Sequence, residues 1–184
     1  MALKVLDHKV VYQGRVFNTI VDEIEYDSGN KSVREVAEHP GGAVVLPLLD
    51  DGRIVFVYQY RYPLDQHLYE LPAGKLDANE KPEVCAAREL TEETGFTPDK
   101  MEKLTAIFTS PGFCNEKLHI FLARGLHEGK QKLEEGELGL TLKYIPMKEA
   151  FHMVRTNEIV DAKTIVGLFF LSQMDPFREK PLNV

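Results

Sequence analysis

Two apolar runs, AVVLPLL from Ala43 and RIVFVYQYR from Arg53, flank Asp50-Asp51-Gly52. Both are rich in β-branched and aromatic residues, so the pattern predicts two strands joined by a hairpin turn. Upstream, KVVYQGRVFNTIVDEIEY alternates imperfectly and turns at Gln13-Gly14. DSGN (Asp27 to Asn30) predicts a second turn and KSVREVAEH a further strand, before Pro40-Gly41-Gly42 breaks the chain. Downstream, HLYELPAG predicts a short strand that stops at Pro72 and Gly74. A helix fits residues 82–94, with Pro82 in its first turn and Gly95 as its stop. Val84, Ala87, Leu90 and Thr91 give that helix a less polar face, opposite an acidic one. LTAIFTS and KLHIFLARGL predict strands on either side of Pro111-Gly112, EGKQKLEEGELG a polar loop, and TLKYIPM another strand. Helices are expected over about 147–157 and 162–174, the second capped by Asp161. There is no internal repeat and no strict βαβ alternation. The pattern therefore points to an α+β or mixed-sheet sandwich rather than a doubly wound fold.

Composition narrows the class. The sequence has 184 residues, 43% hydrophobic and 28% charged, which suits one globular domain with a small extension. No apolar run approaches the roughly 20 residues of a membrane-spanning helix, and MALKVLDHKVVYQG lacks a signal-peptide core. Cys85 and Cys114 are the only cysteines and form no CxxC, so they are expected to be passive reduced thiols in a cytoplasmic protein. The six histidines show no HExxH spacing. A net charge of −7 argues against a nucleic-acid binder with a broad basic face. An acidic protein can still bind phosphates where metal ions invert the local field.

One charged stretch calls for explanation. RELTEETG, Arg88 to Gly95, places Glu89, Glu92 and Glu93 at helical spacings i, i+3 and i+4. Like charges so spaced cost a few tenths of a kcal/mol per pair. A solvated helix face relieved by Arg88 accounts for them at no further expense. The wider context changes that balance. Gly74 is followed by Glu80 after five intervening residues, by Arg88-Glu89-Leu90 after seven more, and then by Glu92-Glu93, Gly95 and apolar Phe96.

This segment resembles the Nudix box, Gx5Ex7REUxEExGU with U a bulky apolar residue, at every defined position. The resemblance extends over about residues 40–172. It implies a Nudix-like α/β/α sandwich around a mixed β-sheet over residues 41–184, with residues 1–40 as an N-terminal β-rich extension for dimerisation and substrate contacts. It also implies Mg²⁺-dependent hydrolysis of a nucleoside diphosphate linked to another moiety, with Mn²⁺ as a substitute. Carboxylates on a rigid helix are suitable hard ligands for magnesium. By the resemblance, the metal ligands are Glu89, Glu93, Glu92 and the carbonyl of Ala73, where Gly74 permits close backbone approach. Glu80 and Arg88 hold the motif together.

Three further stretches resemble the ADP-ribose pyrophosphatase and nucleoside diphosphate sugar subgroup. Pro111, in TSPGFCNE, lies sixteen residues beyond Gly95, and that stretch supplies Pro111 and Glu116 as substrate contacts. VYQYRYPLDQHLYELPAGKLD offers Arg61 to a phosphate or ribose, and guanidinium suits bidentate phosphate recognition. SVREVAEHPGGAVVLPL resembles an extension that supports a homodimer and supplies Arg34 to the base, with Tyr26 and His39 as further candidates to hold a nucleobase. The acidic stretch EEGE, Glu134 to Glu137, stands where the subgroup carries its general base. Gly139 and Leu140 depart from the usual pattern there, so both Glu135 and Glu137 remain candidates, acting with Glu93. The expected partners are a nucleoside diphosphate sugar and a second copy of the chain, with no nucleic acid and no membrane. A Nudix nucleoside-triphosphate or dinucleoside-polyphosphate hydrolase and a non-catalytic nucleotide-sugar sensor are the alternatives.

Overall fold

The computed structural model describes residues 3–133 and 135–174. They fall into two compact units. One runs up to Gly41 and includes Ile107–Lys117; the other takes in Gly42–Ala106 and the chain from Leu118 onward.

The first unit holds an antiparallel sheet of β1 (Leu3–Gln13), β2 (Asn18–Tyr26) and β3 (Lys31–Glu38), with β2 in the middle. The imperfect alternation of the sequence has a physical cause. The β1–β2 register shifts between Val5 and Asp7 and again between Val10 and Tyr12, and each irregularity flips the face that successive side chains occupy. In the turn before β3, Gly29 adopts φ +82°, and its N–H donates to the Tyr26 carbonyl at 2.8 Å. Ile20 and Ile24 are buried, whereas Val5, Val10, Val11 and Tyr12 of β1 are all more than half exposed. Ala37 bonds the 107–117 segment through Phe113 and Asn115.

The second unit contains two sheets. One orders β10 (Thr141–Pro146), β5 (Arg53–Arg61) and β6 (Gln66–Glu70), all antiparallel. The other orders β7 (Ala73–Lys75), β4 (Gly42–Pro47), β9 (Lys117–His127) and β8 (Thr97–Phe108). β4 runs parallel to β9 and antiparallel to β7, so the sheet is mixed, as expected. All of β4 is buried, which fits its unbroken apolar run and requires cover on both faces. On one face Ala43, Val45, Val55, Phe121 and Ala123 pack with Cys85 and Ala86 of α1 (Pro82–Glu89) and with Leu90, which follows it. On the other, α3 (Ala162–Ser172) brings Gly167 against Leu71, Ile120 and Leu46. α2 (Met147–Arg155) precedes it. Each fully buried Leu or Val contributes about 1.5–3 kcal/mol.

Four local expectations need correction. The turn at Asp50-Asp51-Gly52 forms, with the Leu49 N–H donating to the Arg53 carbonyl at 2.9 Å, but β4 and β5 do not pair as a hairpin: beyond the isolated Leu48–Ile54 bridge they enter different sheets. The buried face of α1 is Cys85 and Ala86, continued by Leu90 and Thr94; Val84 is 56% exposed, and Ala87 and Thr91 are half-buried. The chain re-enters a sheet after Pro72 as β7 instead of stopping. β8 starts at Thr97, seven residues earlier than the apolar pattern indicates. It is an edge strand, where a proline and charged side chains are tolerated because one side of the ladder is unpaired.

Candidate active site

The Gly74–Phe96 segment folds as β7, a short loop, α1 and then a π turn over Leu90–Thr94. Gly95 closes that turn at φ +79°, and its N–H donates to the Thr91 carbonyl at 2.9 Å. The π turn widens the helix where the carboxylates stand, a distortion often found at functional sites. Glu89 and Glu93 turn inward, 7% and 2% exposed. Glu92 stays half-buried and pairs with Arg88 at 3.0 Å.

Arg88 organises the segment. Its Nε and Nη2 donate to the two Glu80 oxygens at 3.0 and 2.9 Å, its Nη1 to Glu89 at 2.7 Å, and its Nη2 to the Lys75 carbonyl at 3.1 Å. The bond from Arg88 holds the Glu80 carboxyl down to about 2. Cys85 lies beneath, its thiol 3.5 Å from the Lys75 carbonyl; burial pushes it up to about 12, which suits a passive role.

Glu93 has the opposite electrostatics. Burial, then the charges of Glu89 and Glu137, raise its carboxyl to about 8, opposed by the Ala73 N–H and Lys163. Its Oε2 accepts that N–H at 3.1 Å. Glu89 is raised in the same way, burial again outweighing Arg88. Gly74 passes so close that a Cβ there would lie 1.9 Å from Glu89 Oε1. Two buried carboxylates beside a bare backbone segment supply hard oxygen donors whose repulsion a cation would relieve. No three acidic, histidine or cysteine side chains among the described residues already converge on one point. The donor set fits a divalent cation.

The polar 128–139 loop is tethered to this turn. Gln131 Nε2 donates to the Glu93 carbonyl at 2.6 Å, and the Lys132 N–H to the Glu92 carbonyl at 2.8 Å. Glu137 lies in the 3-10 turn Glu135–Glu137, and its charge is felt at both Glu89 and Glu93. Glu135 is exposed. Glu134 lies outside the described residues.

Arg61, at the end of β5, grips Glu70 through Nε and Nη2, both at 2.6 Å. Glu70, 1% exposed, was not singled out by the sequence pattern, nor were its partner Lys163 and the Asp161–Lys163 pair. The signal was present as a lone acidic residue in the apolar LYELP. Asp161 caps α3 as expected, accepting the Thr164 N–H at 3.0 Å.

The remaining expected contacts lie in the first unit. Arg34 bonds the Tyr26 hydroxyl and Ser32, so two base-contact candidates do meet. Pro111 is exposed at the second position of the turn opened by Ser110, as suits proline. Glu116 accepts Thr109 Oγ1 at 2.8 Å and lies 3.4 Å from His39 Nδ1.

The NUDIX domain family matches residues 38–166. The chain belongs to the Nudix family. It is 40% identical over 170 residues to ADP-ribose pyrophosphatase of Bacillus subtilis (strain 168), covering 91% of each chain. It is 37% identical over 179 residues to the methanol dehydrogenase activator of Bacillus methanolicus, covering 96% of each. An ADP compounds hydrolase has the same Nudix fold, with a TM-score of 0.83 at 20% identity over 94% of both chains. Nudix hydrolases generally use divalent metal ions. No helix of the described residues is long and apolar enough to cross a membrane.

Proposed function

We propose that this Nudix protein hydrolyses the diphosphate of ADP-ribose, or of a related nucleoside diphosphate sugar, with Mg²⁺ as the working cation. The observation that carries the reading is the buried Glu89–Glu93 pair beside Ala73 and Gly74, costly without a cation. The 40% identity to an ADP-ribose pyrophosphatase over nearly the whole chain supports the substrate class.

Glu89, Glu93 and the Ala73 carbonyl would hold the cation, and Glu92 would join once released from Arg88. A divalent cation held there neutralises phosphoryl charge and makes water more acidic. Glu137, whose charge reaches both buried carboxylates, accepts the proton of the attacking water. Arg61 binds a phosphate oxygen. The new P–O bond forms as the bridging P–O bond breaks, giving a nucleoside monophosphate and a sugar phosphate. Arg34, Pro111 and Glu116 contribute further substrate contacts. Residues 1–40 act as an extension that pairs two copies; the exposed Val5, Val10, Val11 and Tyr12 of β1 support a homodimer. The protein works in the cytoplasm.

A substrate panel with Mg²⁺ tests this reading. ADP-ribose or another nucleoside diphosphate sugar should yield two phosphate monoesters. Turnover confined to nucleoside triphosphates or dinucleoside polyphosphates would replace the substrate class. Binding without turnover would make the protein a sensor, a role to which the name of the activator relative lends interest.

A further inference from the structure

Glu70 ends β6 as an almost fully buried carboxylate. The β5–β6 register pairs Val57 with Glu70 and Arg61 with Gln66, which puts Arg61 and Glu70 on one face of the hairpin. Both Glu70 oxygens accept from Arg61, and one also accepts from Lys163 Nζ. Lys163 is shared in turn with Asp161, 3.0 Å away. Four charges, two of each sign, thus run from the tip of β5 to the N-terminus of α3. Asp161 also accepts from Thr164 Oγ1 at 2.6 Å, and that hydroxyl accepts the Leu71 N–H at 2.8 Å. The start of α3 therefore fixes both the side chain of Glu70 and the backbone beside it.

A buried ion pair is weak evidence for stability, because well-packed apolar residues often replace one without loss. Arg61 shows what this network does achieve. Its Nε and Nη2 are taken by Glu70, while no group among the described residues accepts from Nη1. Its side chain is 41% exposed. Glu70, which anchors it, stands three residues before Ala73, whose N–H donates to Glu93 at 3.1 Å, and the charge of Glu93 acts on Arg61. An arginine with two donors anchored and one edge open loses little freedom when that edge meets an anion. Lys163, 12% exposed and engaged on two carboxylates, has no comparable open side.

We propose that Glu70 and Lys163 are positioning residues for Arg61. They hold its guanidinium at the end of β5 against Glu70, with Nη1 free for a phosphate oxygen of the substrate. Glu70 sets the orientation; Lys163, bonded to Glu70 and to Asp161, fixes Glu70 from the other side. This rests on the diphosphate reading above.

The test is a double-mutant cycle on affinity for the α,β-methylene analogue of ADP-ribose, measured by calorimetry with Mg²⁺. Glu70→Gln and Arg61→Ala should each weaken binding by about tenfold or more, the value of one charge-assisted hydrogen bond. In the Arg61→Ala background, Glu70→Gln should weaken it no further. Lys163→Met removes the second cation from Glu70 and so loosens its hold on Arg61; it should follow the same non-additive pattern, with Lys163→Arg restoring affinity. It carries the cycle if Glu70→Gln does not fold. Affinity should change more than kcat. Equal losses in both backgrounds, or unchanged affinity in single variants that melt like wild type, would overturn the positioning role. A wild type that hydrolyses nucleoside diphosphate sugars but gives an additive cycle would overturn only that role. A wild type that neither binds the analogue nor turns over any such substrate removes the functional reading and this one with it.

Discussion

Replacing Glu93 by Gln should stabilise the metal-free protein, and only at high pH. Glu93 carries its proton up to about 8 in the folded protein, against an ordinary value of 4.5. Between those values the native state keeps a proton that the unfolded chain has released. The stability attributable to that proton is full below about pH 4.5 and is lost as pH rises through about 8. At about 1.4 kcal/mol per unit, the shift caps the loss at about 5 kcal/mol. Water entry and side-chain relaxation lower it, and about 2 kcal/mol is the working expectation. For a chain of this size that is a Tm difference of about 4–8 °C. Glu89 slopes the same way. Glu80, held near 2, contributes a constant amount above 4.5 and adds no slope. The assay is thermal unfolding in EDTA from pH 5.5 to 8.5. Wild type should lose stability across the window, whereas Glu93→Gln should lose less and exceed wild type at pH 8.5. Parallel curves for the two proteins would refute the claim that burial and repulsion at Glu93 cost stability.

Gly74→Ala should fold nearly as well as wild type, because the added methyl meets only the end of the Glu89 side chain; displacing that carboxylate should raise the Mg²⁺ concentration needed for half-maximal activity by about tenfold. Glu80→Gln should destabilise the protein at pH 7. That deficit should close as pH falls from 4.5 towards 2, where wild-type Glu80 takes up its proton, as followed by acid unfolding. Glu137→Gln should lower kcat by about 10²–10⁴-fold while Glu135→Gln changes it little; equal effects in steady-state kinetics would reject the choice between them.

The sequence revealed what obeys local rules. The two strands flanking Asp50-Asp51-Gly52 were legible because both are unbroken β-branched runs, and the Asp161 cap because its acceptor lies three residues from its donor; that β4 and β5 part into different sheets was not, because it depends on partners far along the chain. The box carboxylates were legible as a spacing. Their burial was not, since it depends on the π turn and on the way Cys85, Ala86 and Leu90 pack against β4 and β9. The wrong apolar face of α1 has the same origin: Glu89 and Glu93 share the buried side, so polarity misreads it. Glu70, Lys163 and Thr164 were illegible because their partners lie about ninety residues apart and meet only when α3 covers the sheet. The preference for Glu137 over Glu135 likewise came from tertiary structure, through a loop pinned by Gln131 and Lys132.

The most direct measurement is a crystal of the protein with Mn²⁺ and α,β-methylene ADP-ribose, with data collected at the manganese edge. An anomalous peak should lie about 2.1 Å from oxygens of Glu89 and Glu93, with a diphosphate oxygen completing the coordination. A peak elsewhere, or a well-ordered analogue beside carboxylates that touch no metal, would contradict the account.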